Sequence, residues 1–286
     1  MPPIGNGYGT ITGMNIDHAL QALARDPRAV FDVAELALHL ARDEYPLLDV
    51  EAYLNEIEGM AHEVRSHLKG NFPAKVAGLC RYLFHDMGFR GSRQDYYDPR
   101  NSYLNQVIDR RTGIPITLSG IVMAIGARIG IEIQGVGLPG HFVVKAVAGR
   151  HEILFDPFNS GRILTPENCE QLVKQVTGMS FQATKDHLEA LPLGKIVRRM
   201  LGNLKAIYMR DGDSSRAIRI IERLRQLDPH DPLDQRDLGV LLLQAGQPGK
   251  AIDLLSAYLD GNAAVEDGKT IRELLERAQT DVARWN

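Results

Sequence analysis

NSYLNQVIDRRTGIPITLSGIVMAIGARIGIEIQGVGLPGHFVVKAVAGRHEILFDPF, residues 101–158, is the stretch on which the fold of this chain turns. An apolar run follows the GIPI turn at 113–116 and reaches about Ile129, which predicts a helix. Thr117 is the expected N-cap, and Gly130 is the expected residue past its end. Two β-type runs come next, IEIQGVGL at 131–138 and HFVVKAV at 141–147. The turn AGR at 148–150 then leads to HEILFDPF at 151–158. His141 opens one strand and Asp156 closes its neighbour, which supplies two of the three groups of a hydrolase-type triad. The third group, a Cys or a Ser on the helix, is the open position.

Upstream, the pattern is helical from about Asp17. Asp32 with Glu35 resembles a capping box before an apolar helix. Val50, Tyr53, Leu54, Ile57 and Met60 recur at three- and four-residue steps, and a further helix runs from about Ala74 to Met87. The segment FRGSRQDYYDPRNS, residues 89–102, reads as an ordered loop packed along the core. Asn101 is expected to cap a short helix over 103–111. Downstream, Thr165-Pro166-Glu167 has the form of an N-cap followed by Pro at the first helical position. This order fits an antiparallel sheet with helices gathered at one side, an α+β fold.

From about Leu193 the chain reads as all helix, with an internal repeat. Leu204, Tyr208, Gly212, Ala217 and Ile221 each stand 34 residues before Leu238, Leu242, Gly246, Ala251 and Leu255. That period, with Gly between helices and a small residue in the second helix, is the tetratricopeptide signature. A last helix from Thr270 to about Arg284 is expected to cap the array. The expected division is a loose tail at 1–15, a helical segment plus core at 16–192, and a repeat domain at 193–286.

The bulk numbers remove several classes of function. A formal net charge of −3 gives no general drive toward nucleic acid or anionic membrane. The run from Leu118 to Ile131, broken by Gly120, Gly126 and Arg128, is shorter than the roughly 20 residues a membrane span needs. Cys80 and Cys169 make no disulfide framework and read as buried thiols. No secretory leader is read at the start, so the expected location is the cytoplasm.

YYDPRNSYLNQVIDRRTGIPITLS, with LPGHFVVKA and FDPFNSG, closely resembles the SirB-type bacterial proteins over about residues 30–286. The resemblance implies a transglutaminase-like, papain-like core with an antiparallel sheet, followed by all-α tetratricopeptide repeats. It also implies a Cys on the first turn of the helix, then a His and an Asp on adjacent strands. His141 and Asp156 match the last two by context. The Cys is absent: its place falls near Pro115 when counted back from Gly130, or at Ser119 when matched by helix position.

Two functions follow as expectations. In the first, the core has lost catalysis and binds a protein or peptide, with the repeats adding contacts; Tyr97, Asp98, Arg100, Asn101 and Asn105 would then rim a cleft near His141. In the second, Ser119 is the nucleophile, His141 the base and Asp156 the group that orients it, giving a Ser-dependent amidase or protease. Each residue also has a plain alternative. Ser119 suits local backbone bonding in a helix, His141 and Asp156 suit a polar pair pinning two strands, and Asp98 to Asn101 suit a turn. No cofactor is expected. A metal at His141 and Asp156 with Asp98 or His151 has no supporting ligand spacing.

Overall fold

The computed structural model describes residues 15–261 and 266–284. The stretch read as a loose tail therefore lies, except for Asn15, outside the described residues. The chain divides into two compact units, one built on residues 26–200 and the other on 201–286 with residues 20–25.

Helix α1 (Ile16–Arg25) contributes its residues 20–25 to the second unit; in the first, α2 (Val33–Ala41), α3 (Val50–Val64) and α4 (Phe72–Arg81) follow in chain order. The Asp32 carboxylate accepts from the Ala34 and Glu35 amides and starts α2. Helix α4 runs on into a π-helical turn, Tyr82–Asp86, and Gly88 ends it at φ 73°. Strand β1 (Arg90–Gly91) pairs in parallel with β2 (Thr112–Gly113), on either side of α5 (Leu104–Arg110).

Helix α6 (Pro115–Ile129) is the centre of this unit. Residues 115–122 are all buried, as suits a helix apolar nearly all round. Thr117 is not its N-cap. Pro115 occupies the first helical position, where its missing amide costs no bond, and this shifts the cap back to Ile114. Thr117 sits in the first turn instead; its hydroxyl accepts from the Ile114 amide at 3.1 Å and lies 2.8 Å from the Asn101 carbonyl, to which it donates. Gly130 closes the helix at φ 76°, as the sequence predicts.

Strands β3 (Glu132–Leu138), β4 (His141–Ala148), β5 (His151–Asp156) and β6 (Arg162–Ile163) form an antiparallel sheet in chain order. Phe142, Val144, Ala146 and Phe155 pack into the core that holds α6. Val136, Leu138 and Val143 pack with Cys169 and Val173 of α7 (Pro166–Thr177). The sheet is thus covered on both faces, not one, which is why HFVVKAV reads as a nearly continuous apolar run.

The second unit is all helical: the later part of α8 (Leu193–Asp211), then α9 (Ser214–Leu227), α10 (Pro232–Gln244), α11 (Pro248–Gly261) and α12 (Gly268–Ala283). The eight non-glycine positions of the 34-residue repeat are all buried. Gly212 and Gly246 both stand at φ 72°, ending the first helix of each pair. Lys205 ties α8 to α10 through Asp234 at 2.7 Å and Asp237 at 2.6 Å. The fold is α+β in the first unit and all-α in the repeats.

Candidate functional site

The β3–β4 hairpin turns on Pro139 and Gly140, with Leu138 paired to His141. Gly140 takes φ 67°, a conformation glycine adopts without strain. The turn sets His141 at the head of β4, and the β4–β5 register brings Asp156 to the same end of the sheet.

Four donors converge on the Asp156 carboxylate. Oδ2 lies 3.0 Å from His141 Nε2 and 2.6 Å from Asn159 Nδ2. Oδ1 accepts from the amides of Phe158 at 2.9 Å and Asn159 at 3.3 Å, so Asp156 also caps the 3-10 turn Pro157–Asn159. Burial by itself would raise this carboxyl, but the bonds from His141 and Asn159 outweigh it and hold the pKa below the ordinary carboxylate range. An ionised Asp156 fixes the proton on Nε2 of His141. Nδ1 makes no hydrogen bond among the described residues.

The surroundings of the pair are aromatic and basic. Phe158 meets the His141 ring edge-on at 5.8 Å, and Tyr96 meets Phe158 at 6.1 Å. Arg93 lies over Phe158 at 5.4 Å and donates to Asn159 Oδ1. A Cβ on Gly91 would stand 2.6 Å from the Phe158 ring and 2.7 Å from its carbonyl, so only glycine lets β1 lie this close. Arg199 of α8 donates from Nη2 to the carbonyls of Leu138 at 2.9 Å and His141 at 2.8 Å.

Ser119 stands apart from this network. It is the fifth residue of α6, is 0% exposed, and its Oγ makes no hydrogen bond. The structure therefore joins His141 to Asp156 but forms no bond from Ser119 to His141. Pro115, the other place at which the resemblance puts the Cys, begins the helix and carries no nucleophile. Neither thiol is hydrogen-bonded to His141: burial raises Cys80 to about 12, and burial together with the charges of Asp156, Glu167 and Glu170 raises Cys169 to about 11.

Of the remaining predicted residues, Asp98 and Asn101 share Arg110, and Tyr97 meets Tyr96 edge-on at 5.3 Å. Asp98 caps a 3-10 turn, Pro99–Asn101, and pairs with Arg100 at 2.7 Å; that guanidinium holds the Asp98 carboxyl below its usual range. Asn101 does not cap α5, which starts after Tyr103. It is fully buried instead, donating to the Asp95 carbonyl and accepting from Arg110, while its own carbonyl receives the Thr117 hydroxyl. Asn101 thus ties the loop to the start of α6. Asn105 is buried with no partner for Oδ1, and Tyr97 is 57% exposed. Tyr96, Phe158, Asn159 and Arg199 were not singled out from the sequence. Asn159, three residues after Asp156, could have been found as a local turn partner; Arg199 had no signal, being 58 residues from the carbonyl it binds.

His151 lies at the other end of β5, opposite Ala148. Among the described residues no group of three or more His, Cys, Asp or Glu is placed to hold a metal ion, and no helix is long and apolar enough to cross a membrane.

Residues 51–202 match the transglutaminase-like superfamily, and residues 204–277 match the tetratricopeptide repeat. A UPF0162 protein of Xylella fastidiosa (strain 9a5c) is 38% identical over 228 residues, covering 78% of this chain and 81% of that protein. F-box only protein 21 of Homo sapiens is 32% identical over 149 residues, covering 49% of this chain and 23% of that protein. Among solved structures, a crystal structure of menin that reveals its binding site for Mixed Lineage Leukemia (MLL) protein covers 85% of this chain and 68% of its own, at 10% identity and a TM-score of 0.39. A likeness that distant says nothing more about this chain.

Proposed function

The chain belongs to the transglutaminase-like superfamily, as a UPF0162 protein with tetratricopeptide repeats, and from that premise we propose that its core is a non-catalytic module that binds a protein or peptide. The observation that carries this reading is the start of α6. Where the superfamily's acyl-transfer chemistry would need a thiol beside the His–Asp pair, the first turn offers Pro115, Ile116, Thr117 and Leu118. The hydroxyl that follows, on Ser119, is sealed from solvent and unbonded to a base, and a neutral Ser needs a base within hydrogen-bond reach.

The rest of the molecule fits the same reading. Tetratricopeptide repeats point to protein–protein interaction, and here they add contacts to those of the core. The segment shared with F-box only protein 21 amounts to 23% of that protein, which suits a module usable in different settings. The SirB-type assignment belongs to the reading too, on DPRNSYLN, GIPI, PGHF and DPFN taken together. So does a cytoplasmic location, which suits two free thiols. A net charge of −3 gives no general drive toward nucleic acid, in keeping with a protein or peptide partner.

The test is turnover. Wild type and His141→Ala are assayed for amine transfer to casein and for hydrolysis of a fluorogenic peptide-amide panel, with circular dichroism confirming that both are folded. The expected result is no difference between them. Turnover that depends on His141 sinks the reading, and its further loss in Ser119→Ala would hand the site to the Ser-dependent alternative.

A further inference from the structure

We propose that Arg199 is the anchor for a carboxylate of the peptide bound by the core, placed beside His141. This rests on the binding reading above and names the chemistry of what is bound.

The guanidinium is held in position and left without a counter-charge. Nη2 serves the carbonyls of Leu138 and His141, the two residues that close the β3–β4 hairpin. Cζ stands 5.7 Å from the Phe142 ring centre. Gly137 leaves the space: a Cβ there would come within 3.1 Å of Arg199 Nη1 and 2.6 Å of Leu191 Cδ1. Nε and Nη1 have no acceptor among the described residues, and no carboxylate pairs with this side chain.

Other arginines of this unit are treated differently. Arg93 and Arg110 bond the side-chain oxygens of Asn159 and Asn101, and Arg100, Arg111 and Arg128 pair with Asp98, Glu56 and Asp32. Of these six, Arg199 alone has no side-chain acceptor. It is half-buried, and burial lowers its pKa. A desolvated cation without an anion is costly, and the cost is relieved when an anion arrives. A carboxylate accepts charge-assisted bonds from the N–H groups still available on Nε and Nη1. Because Nη2 holds the carbonyl of His141 itself, the bound group lies at the hairpin that carries His141, and the aromatic run from His141 through Phe158 to Tyr96 offers apolar contact to the residue that carries it. The carboxylate can come from a chain terminus or from an acidic side chain.

The experiment uses the full chain with 15N-labelled arginine and histidine, followed by NMR. The Arg199 Nε–H signal is assigned by its loss in Arg199→Lys. The probes are N-acetyl-Gly-Gly with a free terminal carboxylate, N-acetyl-Glu α-amide with only a side-chain carboxylate, and N-acetyl-Gly-Gly amide with neither. The expected result is a saturable shift of Arg199 Nε–H and of the His141 imidazole with at least one acid, at an apparent affinity about tenfold above the amide's, as a charge-assisted bond provides. Whichever acid binds more tightly identifies the source. Amide and acids acting alike on His141 would overturn the anchor and leave peptide binding by the core intact. No shift with any probe also overturns it, while the binding reading is judged separately by His141-dependent turnover. The wild-type comparison of acid with amide stands even if an Arg199 variant fails to fold.

Discussion

Asp156 and Ser119 are both sealed inside the first unit, at 1% and 0% exposure, and they are served in opposite ways. The carboxylate receives four donors, two from main-chain amides and two from side chains. The hydroxyl receives none and gives none, although a helical Ser commonly bonds back to the carbonyl four residues earlier. A buried polar group that is fully bonded fixes the geometry around it; one left unbonded is a standing cost. The fold invests its polar order in the His–Asp pair and not in the helix position from which a nucleophile would act.

The sharpest way to break this contrast is Asp156→Ala. It removes the cap of the 3-10 turn and leaves the buried His141 ring without its partner. The expected loss of unfolding free energy is about 3–5 kcal/mol, read from urea denaturation. A loss below about 1 kcal/mol would mean that the four bonds contribute little net stability.

Acid acts on the same carboxylate less severely. The folded pKa of Asp156 is depressed, so its contribution is fully present above the unfolded Asp value near 4 and is lost as pH falls through the lower folded value. Thermal midpoints should therefore decline below about pH 4, and the part due to this group should be missing in Asp156→Asn. Equal acid slopes in the two proteins would show that other carboxylates account for the decline.

The smallest effect carries the opposite sign. Ser119→Ala removes an unsatisfied hydroxyl and keeps the helix, so the variant should match wild type or gain up to about 1 kcal/mol. A clear loss would show that Oγ has a partner in solution, such as a bridging water.

Much of the architecture was readable from residue pattern. The 34-residue offset held because each repeated position packs in the helical array, and the two glycines end helices at the same φ. The three longer strands announced themselves by β-branched runs. The errors share a physical origin. Thr117 has the chemistry of a cap, but Pro115 two residues earlier had already fixed where the helix starts. Asn101 likewise has the chemistry of a cap and spends it on tertiary bonds to Asp95, Arg110 and Thr117. Strands β1 and β2 are two residues each, too short to show a period. At the site, His141 and Asp156 were legible because strand ends and a local turn place them. The seclusion of Ser119 and the grip of Arg199 on the hairpin depend on packing between distant segments, which no local pattern encodes.

Asp156 has one further consequence, for how such chains are recognised. Its carboxylate both steadies an imidazole and starts a turn, so folding alone gives this position a use for Asp. A His and an Asp at this separation are held by a turn that must close, so counting the two residues is not by itself evidence of an enzyme.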